Sequence, residues 1–128
     1  MSFRSPLAHA RGLGSAKEGV AHWWMQRLTA LALIPLVIWV IYGLLQCGCA
    51  DHHIIKVWIA NPFNSIALIC LMLALSYHSS LGVQVVAEDY VRRQWLRRLI
   101  IVTVYFLKVL IAVTSIFAIL KISFGVNL

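Results

Sequence analysis

The sequence predicts an all-α membrane protein of three transmembrane helices, with the N-terminus inside and the C-terminus outside. Its 128 residues are 62% hydrophobic and only 12% charged, a balance too apolar for a soluble domain of this size. No charge interrupts the 23 residues between Arg27 and Asp51 or the 31 between Lys56 and Glu88. Roughly 20 apolar residues are enough for a helix to cross ~30 Å of hydrocarbon. A third run, from Leu99 to Leu120, holds a single charge at Lys108, whose long stem can snorkel or reach a partner.

The whole of residues 1–128 reads as one membrane-anchor domain, without a repeat, a low-complexity tract or a second domain. Residues 1–19 form an inner polar tail in which Gly12, Gly14 and Gly19 oppose a long regular helix. No signal peptide is expected, because the first apolar run follows that tail and is long enough to span by itself. The first helix is expected over about 20–46, with a local kink at Pro35, and Cys47-Gly48-Cys49 ends it. Asn61-Pro62 has the form of an N-cap followed by proline at the first helical position. The second helix is therefore expected over about 62–90, after an outer-interface segment Val57-Trp58-Ile59. The third is expected over about 94–121, with Trp95 in the inner aromatic belt.

Orientation follows from the basic residues. Arg4, Arg11, Lys17 and Arg27 precede or open the first helix, and Arg92, Arg93, Arg97 and Arg98 crowd the second connection. Only Lys56 and Lys121 fall on the opposite side, so both arginine-rich regions are expected inside. The same rule accounts for the net charge of +7, which makes anionic membrane lipids the expected charged partner and argues against nucleic acid.

Within the second span, His78 lies 11 residues before Asp89, which is ~16 Å along a helix and only ~20° around it. The two share a face, and His78 falls near the middle of the hydrocarbon layer. Ionisable groups at that depth usually face the bundle interior and mark a cofactor, proton or substrate path. Ala74 and Gly82 lie one turn to either side of His78, with Ser79 and Ser80 keeping the flank small, so a flat macrocycle such as haem can approach. The residues alone leave two readings open: an axial haem ligand, or a neutral imidazole bonded to another helix. A haem ligand also requires a second axial ligand from elsewhere. Cys47, Cys49, His52 and His53 combine groups suited to zinc or copper, but their spacing matches no standard signature, and an outer loop capped by Gly48 is simpler.

The run His78, Gly82, Gln84-Val85-Val86, Glu88-Asp89-Tyr90-Val91 resembles the second helix of the succinate dehydrogenase hydrophobic membrane anchor family, in its smaller form. Gly19-Val20, Arg27-Leu28-Thr29-Ala30 and Val57-Trp58-Ile59 add to the resemblance, which covers nearly the whole chain. The tail Ala10 to Gly19 with His22-Trp23-Trp24 is similar to the alphaproteobacterial and mitochondrially encoded branch.

The resemblance implies pairing with a second, haem-binding anchor of three helices, beneath an iron-sulfur subunit and a flavoprotein. FAD and the iron-sulfur clusters belong to those partners, whereas haem b is shared by the two anchors and ubiquinone binds beside them. By position, His78 is implied as a haem axial ligand, Arg27 as a propionate partner and His22 as a less certain one. Tyr90 is implied to hydrogen-bond a quinone carbonyl, with Asp89 orienting it. The plainer reading makes Tyr90 an interfacial anchor and Asp89 a helix-end charge near Arg92 or Arg93, but the joint spacing of His78, Asp89 and Tyr90 favours the site.

The expected function is thus a non-flavin subunit of succinate:quinone oxidoreductase, with no complete active site of its own. The expected location is a bacterial inner membrane or, for an organelle-encoded chain, the mitochondrial inner membrane. Alternatives are the anchor of a quinol:fumarate reductase, or a non-redox membrane protein in which His78 relays protons.

Overall fold

A computed structural model describes residues 17–48 and 52–125, and these form four helices. They are α1 (Lys17–Cys47), α2 (His52–Ala60), α3 (Pro62–Tyr90) and α4 (Gln94–Ser123). Helices α1, α3 and α4 are each long and apolar enough to cross a membrane. At about 1.5 Å per residue the shortest of them exceeds ~40 Å, so its ends extend beyond the ~30 Å hydrocarbon layer.

Helix α1 begins at Lys17, three residues before the expected start, and carries Gly19 within its first turn. One glycine costs a helix only about 1 kcal/mol, which the long apolar run after it outweighs. Pro35 sits inside α1 without ending it. The end comes at Gly48, whose φ of 62° is the left-handed conformation that glycine adopts without a Cβ clash, and whose N–H donates to the Leu45 carbonyl at 3.1 Å.

The first connection, expected as a loop, contains the nine-residue helix α2. Trp58 of α2 stacks on Trp39 of α1, with centroids 5.2 Å apart and planes at 27°, and Phe63 meets Trp39 edge-on at 6.1 Å. Gly43 makes this docking possible, because a Cβ there would overlap the Trp58 indole. The backbone of α2 is tied to the next helix as well: Asn64 Nδ2 donates to the Trp58 carbonyl at 2.8 Å, and Ser65 Oγ to that of Ile59 at 2.6 Å.

Helix α3 starts and stops where the sequence places it. The Asn61 side chain accepts the Phe63 N–H at 3.0 Å, with Pro62 opening the helix, and the Val91 N–H closes on the Ala87 carbonyl at 3.1 Å. A short link then turns the chain into α4, which runs to Ser123, two residues past the expected end. Ser65 Oγ lies 3.1 Å from Ser123 Oγ at the far end, so α3 and α4 are antiparallel over their length.

Helix α3 is the centre of the molecule. It carries the buried side chains of Ser65, Leu71, Ser76, Ser80, Leu81 and Ala87, whereas α4 carries none. Among the described residues, α1 and α4 both pack on α3 and make no close backbone approach to each other. The outward faces are apolar, with Leu31, Ile38, Phe106 and Phe117 each well exposed. Lipid or another apolar surface is the natural neighbour for such faces.

Candidate functional site

The antiparallel packing of α1 on α3 brings together residues some fifty positions apart in sequence. A cleft of about 540 Å³ runs between the two helices. Its α1 wall is built by His22, Trp23, Gln26, Arg27 and Ala30, and its α3 wall by His78, Gly82 and Val85. The spacing is the stripe of three- and four-residue steps that lines a helix face: 22, 26 and 30 on one side, 78, 82 and 85 on the other. Three of the five residues assigned to the site, His22, Arg27 and His78, thus line one cleft.

His78 is half-buried on the α3 wall, and its Nδ1 lies 3.0 Å from Thr29 Oγ1 of α1. The Thr29 hydroxyl also approaches its own helix backbone, 2.7 Å from the Met25 carbonyl and 3.1 Å from that of Gln26. Gly82 leaves the wall open, since a Cβ there would meet only Gln26 Nε2, at 3.8 Å. Toward the start of α1 the walls become polar. His22 Nε2 and Gln26 Oε1 are buried and have no hydrogen-bond partner among the described residues. Each such group costs about 1–3 kcal/mol in a low-dielectric site. Arg27 lies exposed with its guanidinium carbon 5.5 Å from the centroid of Trp23.

These walls suit a haem. His78 lines the cleft near mid-span beside the open space at Gly82, and a guanidinium and an unpartnered imidazole nitrogen further along the same cleft are groups that suit carboxylates. Among the described residues the cleft is walled by α1 and α3.

Ser79 and Ser80 do not flank that cleft. They turn away with Ser76 into a separate, apolar cleft of about 450 Å³ between α3 and α4. Their hydroxyls donate to the carbonyls of Leu75 and Tyr77 at 2.7 and 2.8 Å. The reason is angular: one step along a helix is ~100°, so the residues directly after His78 leave its face. Lys108 also lines this second cleft, with its ammonium 4.2 Å from the Tyr105 centroid and 5.1 Å from that of Tyr77.

A third, more polar cleft of about 500 Å³ gathers His22, Tyr77, Gln84, Glu88 and Tyr105 from all three long helices. Gln84 Nε2 donates to Glu88 Oε1, one turn along α3, at 3.1 Å. His22 borders both this cleft and the one that holds His78.

Asp89 and Tyr90 occupy the last turn of α3, one turn beyond Val85, and do not line the His78 cleft. Tyr90 is 82% exposed, so the end of α3 presents a phenol outward. Cys49, one of the four residues considered for a metal, lies outside the described residues. Thr29 and Gln26 stand out only in the folded chain, although Gln26 is a polar residue within an apolar helix, one turn from His22.

The family model for the succinate dehydrogenase/fumarate reductase transmembrane subunit matches residues 1–119. The chain is 37% identical over 117 residues to the succinate dehydrogenase hydrophobic membrane anchor subunit of Rickettsia bellii, covering 91% of this chain and 94% of the relative. It is 38% identical over 103 residues to the protein of the same name from Rickettsia conorii, covering 80% and 82%. With the succinate dehydrogenase membrane anchor subunit of Reclinomonas americana, identity is 28% over 97 residues, 73% of this chain and 78% of the relative.

Proposed function

The chain belongs to the succinate dehydrogenase/fumarate reductase transmembrane subunit family, and from that premise we propose that it is the haem- and quinone-binding anchor of a succinate:ubiquinone oxidoreductase. It holds an iron-sulfur subunit and a flavoprotein on the membrane and pairs with a second anchor. Succinate is oxidised on the flavoprotein, outside this chain. The membrane is a bacterial or mitochondrial inner membrane, and the ends rich in Arg92, Arg93, Arg97 and Arg98 face inward.

The observation behind this reading is the convergence of His78, Gly82, Arg27 and His22 on one cleft between α1 and α3. His78 would bind the iron through an imidazole nitrogen, together with a histidine of the second anchor. Arg27 and His22 would hold the propionates. Bound there, a b-type haem supplies a one-electron carrier within the hydrocarbon layer. At the end of α3, Tyr90 donates its phenolic hydrogen to a carbonyl oxygen of the quinone and Asp89 orients it, at a depth where water delivers the two protons that quinone reduction consumes. The relatives named above are succinate dehydrogenase subunits, which favours the succinate-oxidising direction over fumarate reduction.

The test is the visible spectrum of the purified complex. A b-type reduced spectrum is expected, and His78→Ala should diminish or shift it while the complex still assembles. An unchanged spectrum and redox potential in assembled His78→Ala complex would remove the ligand assignment.

A further inference from the structure

Thr29 of α1 reaches the His78 ring across the α1–α3 packing. Its Oγ1 lies near the Met25 carbonyl at 2.7 Å, the Gln26 carbonyl at 3.1 Å and His78 Nδ1 at 3.0 Å. A hydroxyl has one hydrogen to give, and a carbonyl can only accept. At 2.7 Å the Met25 contact needs that hydrogen, because two oxygens so close without one would repel. Nδ1 must then donate to Oγ1, so the neutral ring carries its proton on Nδ1 and keeps a lone pair on Nε2.

We infer that Thr29 is a positioning residue for the haem ligand: by accepting from Nδ1–H it selects the tautomer of His78, fixes the ring's rotation and reserves Nε2 for iron. The inference rests on the haem reading proposed above. Metal-bound histidines characteristically donate their second N–H to an acceptor that orients the ring and raises its basicity. Here the acceptor is a neutral hydroxyl on a neighbouring helix, anchored in turn to its own backbone. Threonine suits the task, since its β-branch restricts χ1 while the hydroxyl back-bonds one turn down. Both residues are half-buried, so water competes weakly for either group. The contact also joins α1 to α3, and a merely structural staple would stop there; the positioning role adds an electronic effect on the iron.

The experiment compares purified complexes carrying Thr29→Val, Thr29→Ser and His78→Ala with the unaltered complex, by potentiometric titration of the haem and by EPR of its ferric form. Valine keeps the shape and removes the acceptor. Thr29→Val should retain haem but raise its midpoint potential and shift its g values, because an imidazole without an acceptor at Nδ1 donates less to ferric iron. Thr29→Ser should return both toward the unaltered values. If the valine variant fails to assemble, judged by succinate-to-dye activity in membranes, Thr29→Ala makes the same comparison without added bulk. Unchanged potential and g values in the valine or alanine complex, or a serine complex that behaves like valine, would overturn the positioning role; a haem lost in His78→Ala would leave the ligand assignment standing. Haem unaltered in His78→Ala would overturn both.

Discussion

The ammonium of Lys108 lies 4.2 Å from the ring centroid of Tyr105, within a span that contains no acidic residue. A cation at mid-span costs about 2.5–3.5 kcal/mol on insertion scales, and the face of an aromatic ring recovers about 0.5–2 kcal/mol of that when desolvated. Tyr105→Phe keeps the ring and should leave the thermal inactivation of the assembled complex nearly unchanged. Tyr105→Leu leaves the charge without that ring and should destabilise by about 1–2 kcal/mol. Lys108→Met removes the charge and should be at least as stable as the unaltered complex. If Lys108→Met proves less stable than Tyr105→Leu, the ammonium serves a group outside this chain.

The Gly43–Trp58 contact makes a second, independent prediction. Gly43→Ala drives a methyl into the indole and should cost about 1–3 kcal/mol, as overpacking does. Adding Trp58→Leu should recover part of that loss, since the two changes share one space. The yield of assembled complex on a native gel measures both, and strictly additive losses would contradict the notch.

Tyr90→Phe keeps the ring and deletes the donor proposed for the quinone. Succinate-to-ubiquinone activity should fall about tenfold or more, while succinate-to-dye activity, which bypasses the anchor, stays level. Equal losses in the two assays would signal misassembly, and no loss in either would make Tyr90 an interfacial side chain.

Three spans place the start of α1 and the end of α4 at opposite ends of the bundle. Reporter tags fused at Met1 and Leu128 should accordingly fall on opposite sides, the first inside. Both tags on one side would exclude the three-span arrangement, and a reversed pair would move Asp89 and Tyr90 to the outer face.

Local chemistry marked the limits of α3 in advance. Asn61-Pro62 joins an N-capping side chain to a proline suited to the first helical position, and the Arg92-Arg93 pair marks the boundary with water. Helix α2 escaped because nine residues rich in β-branched and aromatic side chains read equally well as an interfacial loop. Grouping His22, Arg27 and His78 required the family resemblance, and the roles of Thr29 and of the serines were hidden for a physical reason. A helix that is apolar all round carries no stripe to say which face meets its neighbour. Only packing sets the rotation that turns Thr29 toward His78 and carries Ser79 and Ser80 to the other side.

Because α3 is the long helix on which α1 and α4 both pack among the described residues, order of synthesis has a meaning for this chain. Helix α1 leaves the ribosome first and meets the short α2 before α3 follows about 40 residues later, some 2–8 seconds at ordinary elongation rates. During that interval His22 and Gln26 face lipid or whatever insertion factor shields them. The α3–α4 hairpin, closed by the short link at one end and by Ser65 with Ser123 at the other, then forms as a unit against which the waiting helix docks.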